Sequence, residues 1–219
     1  MSTTEREQRL ATMRDLWARL EAQASRTPLP LRLRPPTTEA AIDAAEQTMG
    51  LPFPADFRAS LLVHDGQVPQ DGSLEAFEWL PGHAWLASLD RIVEQWREHC
   101  RTFEELHAGE EPEEIEDGKL VHFFWHARRI PIAGNLWWDQ DNTYLDFIPG
   151  SEGRAGQVAV FGKGNYGEVH GPSFSAILRV YVEALESGEW WFEEGRCRPR
   201  SSRIGRWAKY AEKKLGQAW

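Results

Sequence analysis

Apolar side chains return every third or fourth position from Leu10 through Met13 and Trp17 to Leu20, with Arg and Glu filling the other faces. That spacing predicts an amphipathic helix over residues 5–24. The run TPLPLRLRPPT cannot continue it, because proline lacks an N–H and biases its predecessor towards extended backbone. A second helix is expected from Thr38, a good N-cap, to Met49, where Gly50 ends it. LPFPADF opens a third, with Pro54 in its first turn and Phe57, Leu61 and Leu62 facing inward. HDG closes it, with Gly66 at positive φ. Residues 88–107 read as a fourth helix capped by Ser88, with Leu89, Ile92, Val93, Trp96, Cys100 and Phe103 on one stripe.

Elsewhere the period shortens. LEAFEWL reads as a strand after the QDGS turn. KLVHFFW, RRIPIA, TYLDFI, GQVAVF and GEVH are further strand-like segments, separated by Gly, Asn and Asp turns. AGEEPEEIEDG is expected to be a solvated acidic connection. GPSFSAILRVYVEALESG returns to a helical period from Pro172 or Ser173, and EWWFEEG is expected to continue that helix or to add a short turn. A last helix from Arg203 would carry Trp207, Tyr210, Ala211 and Leu215 on one side. Strands in sequence joined by short turns pair antiparallel. The expected class is α+β: a central antiparallel or mixed sheet of about five to six strands with helices packed around it.

Composition adds two constraints. Among 219 residues there are eleven Trp but four Tyr, so several amphipathic indoles are expected near grooves or interfaces. From Arg196 onward eight bases face one acid, Glu212. The tail therefore carries about +7 and, with −9 overall, the preceding residues about −16. An acidic body disfavours nucleic acid and favours a basic partner. No apolar run approaches the roughly 20 residues that span a bilayer, and the charged N-terminus lacks the apolar centre of a secretory signal. Cys100 and Cys197 form no CxxC motif and read as thiols of a reducing cytosol.

The densest stretch is RRIPIAGNLWWDQDNTYLDF, residues 128–147. Asp139, Asp141 and Asp146 could ligate a hard cation, yet DQDNTYLDF has no Gly at the sixth position, where a calcium loop needs one, and the segment lacks its closing Glu. Asp139 and Asp141 flank an expected turn, and Asp146 faces opposite to Leu145 and Phe147 on a strand. His122 and His126 share a strand face but lie about 13 Å apart, too far to share a zinc ion. GKGNYG lacks a phosphate-loop pattern and reads as a hairpin turn. GPSFSA is no nucleophile elbow. Two adjacent indoles, Trp137 and Trp138, cannot both enter a core from a regular strand. At least one is expected at the surface as an anchor for a partner, unless the tail or the first helix folds over it.

LPFPADFRASLLVHDGQ, RIPIA, DNTYLDFIPG, GQVAVF and GPSFSAIL, in this order, resemble the signature of the SUKH superfamily (Smi/Knr family) across roughly residues 10–188. That group includes a yeast cell-wall and killer-toxin-resistance regulator and many bacterial toxin-immunity proteins. Arg129 stands where the family often has Trp, NLWWDQD replaces a Gly-rich turn, and Ile148 replaces a second Asp. The resemblance implies a SUKH-like domain over residues 1–188 followed by a basic helical appendage over 189–219. It further implies a non-enzymatic, cofactor-free and metal-free binding protein.

The expected function is a cytoplasmic immunity protein that binds and neutralises a cognate basic toxin such as a nuclease, with no nucleic-acid or membrane partner. The alternative is a regulatory scaffold linked to cell-wall synthesis or signalling. Trp137, Trp138, Asp139, Asp141 and Asp65 are the expected partner-binding residues.

Overall fold

A computed structural model describes residues 3–27, 31–68, 79, 85–106, 113–122, 125–134, 138, 141–162, 165–193 and 196–216. Three helices come first: α1 (Thr3–Ala24), α2 (Glu39–Met49) and α3 (Ala55–Leu61). Thr38 caps α2 by accepting from the Ala41 N–H, and Gly50 ends it at φ 66°, as their types predict. Pro54 is the N-cap of α3 and not a residue of its first turn. The Trp17 indole N–H donates to Ser60 Oγ at 2.9 Å, which ties α1 to α3 inside the core.

The main sheet has five antiparallel strands in the order β1-β4-β5-β6-β7. These are β1 (Trp85–Leu86), β4 (Arg129–Gly134), β5 (Asn142–Asp146), β6 (Gln157–Gly162) and β7 (Asn165–Gly171). The expected strand KLVHFFW is not among them. Its Leu120–His122 segment, β3, pairs instead with β2 (Glu113–Ile115), which lies within the supposed acidic loop. Glu116 and Asp117 turn that hairpin at φ 52° and 56°. The LEAFEWL strand falls outside the described residues apart from Trp79, which stacks on Phe174 with centroids 5.6 Å apart.

Each face of the sheet carries its own core. Ile130, Ile132, Leu145 and Val158 meet α1, α3 and α5 (Phe174–Glu186). On the opposite face Tyr144, Ala159, Phe161 and Val169 gather with Leu120 and Trp125. Helix α4 (Leu89–Leu106) serves both: Leu89 and Ile92 join the first cluster, while Trp96 and Cys100 pack on the second. Asp56 Oδ2 accepts from the Ser175 N–H at 2.8 Å, fixing the start of α5 against α3.

EWWFEEG does not continue α5. It opens the strand β8 (Trp190–Glu193), paired with β9 (Arg196–Pro199). The tail then forms helix α6 (Trp207–Leu215), which docks on β7 and α5. Trp207 meets Trp190 and Tyr181 edge-on at 5.2 and 5.7 Å, and is buried. Lys214 pairs with Glu189 and Arg206 lies 3.5 Å from Glu168, so part of the basic tail is answered by the acidic body, while the tail's one acid, Glu212, pairs with Lys119. Trp190, Cys197, Trp207, Tyr210 and Ala211 thus share a core with the residues before them.

Gly66 lies beyond the end of α3, at φ 71°. A β-carbon there would sit 2.7 Å from the Ser88 backbone nitrogen, in the turn that launches α4. Gly50 has a similar φ but open space around it. Gly50→Ala should therefore cost about 1 kcal/mol, the usual penalty of a left-handed helix stop without glycine, and Gly66→Ala about 2 kcal/mol or more. Urea unfolding of the pair checks this, and equal costs would mean that the backbone contact at Gly66 adds nothing.

Candidate functional site

Strand β4 ends at Gly134 and β5 begins at Asn142, at one end of the sheet. Trp137 and Asp139 lie outside the described residues. Trp138 is held at φ 55°, a conformation that bulky side chains seldom adopt without support from their surroundings. Several contacts provide that support. The Asn142 side-chain amide donates to the Trp138 carbonyl at 3.3 Å. The indole lies over Gly134, where a β-carbon would come within 2.8 Å of its Cε3. The Arg91 guanidinium is 6.0 Å from its ring centroid, and the His99 ring 6.4 Å in an edge-on pose.

Arg91, Gln95 and His99 recur at four-residue intervals and form one polar stripe of α4 beside the indole. Trp138 is half-buried, and among the described residues Arg91 and His99 of α4 lean on its ring. The i, i+4, i+8 spacing of these three polar residues was the available sequence signal. His99 stands out from it only once a partner ring is known.

His99 itself is buried between Trp125, at 4.6 Å, and Tyr144, at 6.2 Å. Burial pushes its pKa down to about 4, only partly opposed by Glu98, so it is a neutral ring at physiological pH. Burial likewise drives the Tyr144 hydroxyl up to about 12. These groups form an aromatic floor.

Asp141 is exposed at the entrance to β5. The end of β6 backs onto it so closely that a β-carbon at Gly162 would lie 2.7 Å from its nitrogen. Trp138 and Asp141 thus share one end of the sheet, where β4 ends at Gly134 and β6 at Gly162. Asp65 has a different occupation. Its Oδ1 accepts from the Leu89 N–H at 2.7 Å, in the first turn of α4, and its Oδ2 is 3.8 Å from Arg34 Nε. Desolvation raises its pKa against those two partners, and its side chain is 14% exposed, so it acts on the fold first.

The third aspartate of the stretch, Asp146, is fully buried. It pairs with Arg129 Nε at 3.3 Å and accepts from the Gln157 amide at 3.0 Å and the Ile148 N–H at 3.2 Å. Arg129 also donates to the Val121 carbonyl, and its guanidinium lies 3.9 Å from the Phe161 ring centroid. The strand alternation placed Asp146 on the correct face, but that face is roofed by the β2–β3 hairpin, which Arg129 fastens to the sheet. His126 Nδ1 accepts from the Arg128 N–H at 3.0 Å. Among the described residues no group of three or more His, Cys, Asp or Glu is arranged to hold a metal ion.

A sequence profile of the SMI1 / KNR4 family (SUKH-1) matches residues 36–180, about two thirds of the chain. The chain belongs to this family. The motif order read from the sequence and the α+β sheet with packed helices agree with that membership. The chain is also similar to the protein named cell wall biosynthesis/cell cycle regulator smi1 of Schizosaccharomyces pombe. The two are 26% identical over 169 residues, covering 72% of this chain and 32% of that protein. This SUKH-1 chain therefore spans about a third of its curated relative's length. Residues 181–219, including β8, β9 and α6, lie beyond the profile match.

Proposed function

We propose that this SUKH-1 protein is a non-catalytic binding module, a cytoplasmic immunity protein that neutralises a basic toxin through the β4–β5 end of its sheet. The observation that carries the reading is Trp138, an indole locked at positive φ over Gly134 and braced by α4, next to the exposed carboxylate of Asp141. A pre-ordered aromatic anchor loses little entropy on binding, and a neighbouring acid steers a basic partner during encounter. The charge of about −16 over the first 195 residues supports the same partner chemistry. No helix among the described residues is long and apolar enough to cross a membrane.

Coexpression with each toxin domain encoded beside its gene tests the reading. The expected result is a stable complex and restored growth with one of them. Failure of every such domain to form a complex would overturn it. A second reading, a regulatory scaffold, draws on the name of the fission-yeast relative. It predicts several partners of modest affinity and no neighbouring toxin gene.

A further inference from the structure

The β8–β9 hairpin has two unlike faces. Phe192 meets Tyr181 edge-on, and Trp190 meets Trp207 and Tyr210, so this side is fastened to the core with Cys197. The register pairs Trp191 with Arg198 and Glu193 with Arg196, which sets those four side chains on the outer face. Trp191 is half-exposed, and both arginines are exposed. Arg200 continues the row: it lies 4.7 Å from the Trp191 ring centroid, and its Nε donates to the Gly188 carbonyl at 3.4 Å. Residues 196–206 contain five arginines and no acid. Among the described residues no carboxylate pairs with Arg196, Arg198 or Arg203, and Arg206 stays 80% exposed while 3.5 Å from Glu168.

We propose that this outer face, built on Trp191, Arg196, Arg198 and Arg200, binds single-stranded nucleic acid. Alternate residues of a strand stand about 6.7 Å apart, a spacing that lets successive arginines meet successive phosphates. Trp191 between them offers a ring on which a base stacks regardless of sequence. The docked inner face fixes the ladder before binding. The acidic body does not forbid this, because exposed charges farther than about 8 Å are largely screened at physiological salt. An acidic peptide would use the arginines and leave Trp191 idle. A bilayer would need apolar side chains projecting above the arginines.

Fluorescence anisotropy of the full chain with labelled twelve-residue oligouridylate and oligothymidylate tests the proposal, against a polyglutamate of equal charge. The oligonucleotides should bind with a salt slope of about 2, as three phosphate contacts to a single strand imply. Trp191→Ala should weaken binding about tenfold or more, and Arg198→Ala should lower the slope by about 0.7. Arg97→Ala, exposed on α4, should change nothing. Preference for one oligonucleotide assigns RNA or DNA. Failure of both, or equal binding of polyglutamate, overturns the proposal. If Trp191→Ala lowers the melting temperature, the exposed pair Arg196→Ser with Arg198→Ser decides, and unchanged affinity there also overturns it.

Discussion

Asp146→Ala is expected to cost about 3–5 kcal/mol of folding stability. The carboxylate is fully buried, and the Arg129 guanidinium that it faces is 1% exposed. Taking it away leaves the buried cation beside the Val121 carbonyl and the Phe161 ring without its carboxylate, and strips the Gln157 amide and the Ile148 N–H of an acceptor. Burial already depresses the Arg129 pKa despite the presence of Asp146. The joint replacement Arg129→Met with Asp146→Leu removes both charges and should cost less than Asp146→Ala alone. Urea unfolding of the three proteins checks the order. A midpoint for Asp146→Ala equal to that of wild type would mean that the pair does not hold the β2–β3 hairpin to the sheet.

The second large effect is a pH dependence centred on His99. Its folded pKa of about 4 lies below the 6.5 of an unperturbed histidine. Above about pH 6.5 both the folded and the unfolded ring are neutral, and the site is indifferent to pH. As pH falls towards 4 the unfolded chain takes up a proton that the folded chain refuses, so stability drops. Below about 4 both forms are protonated and the loss levels off. The total is about 3 kcal/mol. In His99→Phe this component vanishes. The stability difference between the two proteins should therefore shift by about 2–3 kcal/mol, against wild type, between pH 7 and pH 4.5. Parallel pH curves would place His99 in water and remove it from the floor beneath Trp138.

Periodicity and caps made the helices legible. Leu10, Met13, Trp17 and Leu20 predicted α1, Thr38 and Gly50 bracketed α2, and Ser173 caps α5. The strands of the main sheet were legible where apolar alternation met a turn residue, as in β4 through β7. Two hairpins were not. Glu113–Ile115 is too short and too charged to show a period, and its pairing is imposed by the anchorage of Leu120. In Trp190–Glu193 three aromatic residues in succession erase any alternation, and the inward turn of Trp190 is fixed by Trp207 about seventeen residues later. At the candidate site the sequence offered Trp138 and Asp141 as neighbours, because they are close along the chain. It could not separate Asp65, which the N-terminus of α4 recruits, because that partner arrives through tertiary packing.

The most direct test of the binding-module reading is the kinetics of capture by an inactivated toxin domain from the adjacent gene. Wild type should bind it at sub-micromolar concentration. Trp138→Ala should raise the off-rate by thirtyfold or more, as loss of an anchor worth about 2 kcal/mol implies. Asp141→Asn should mainly slow association, and only at low salt. Rates for both variants that match wild type would contradict the assignment of the β4–β5 end as the contact surface, and no binding by wild type would contradict the binding-module reading itself.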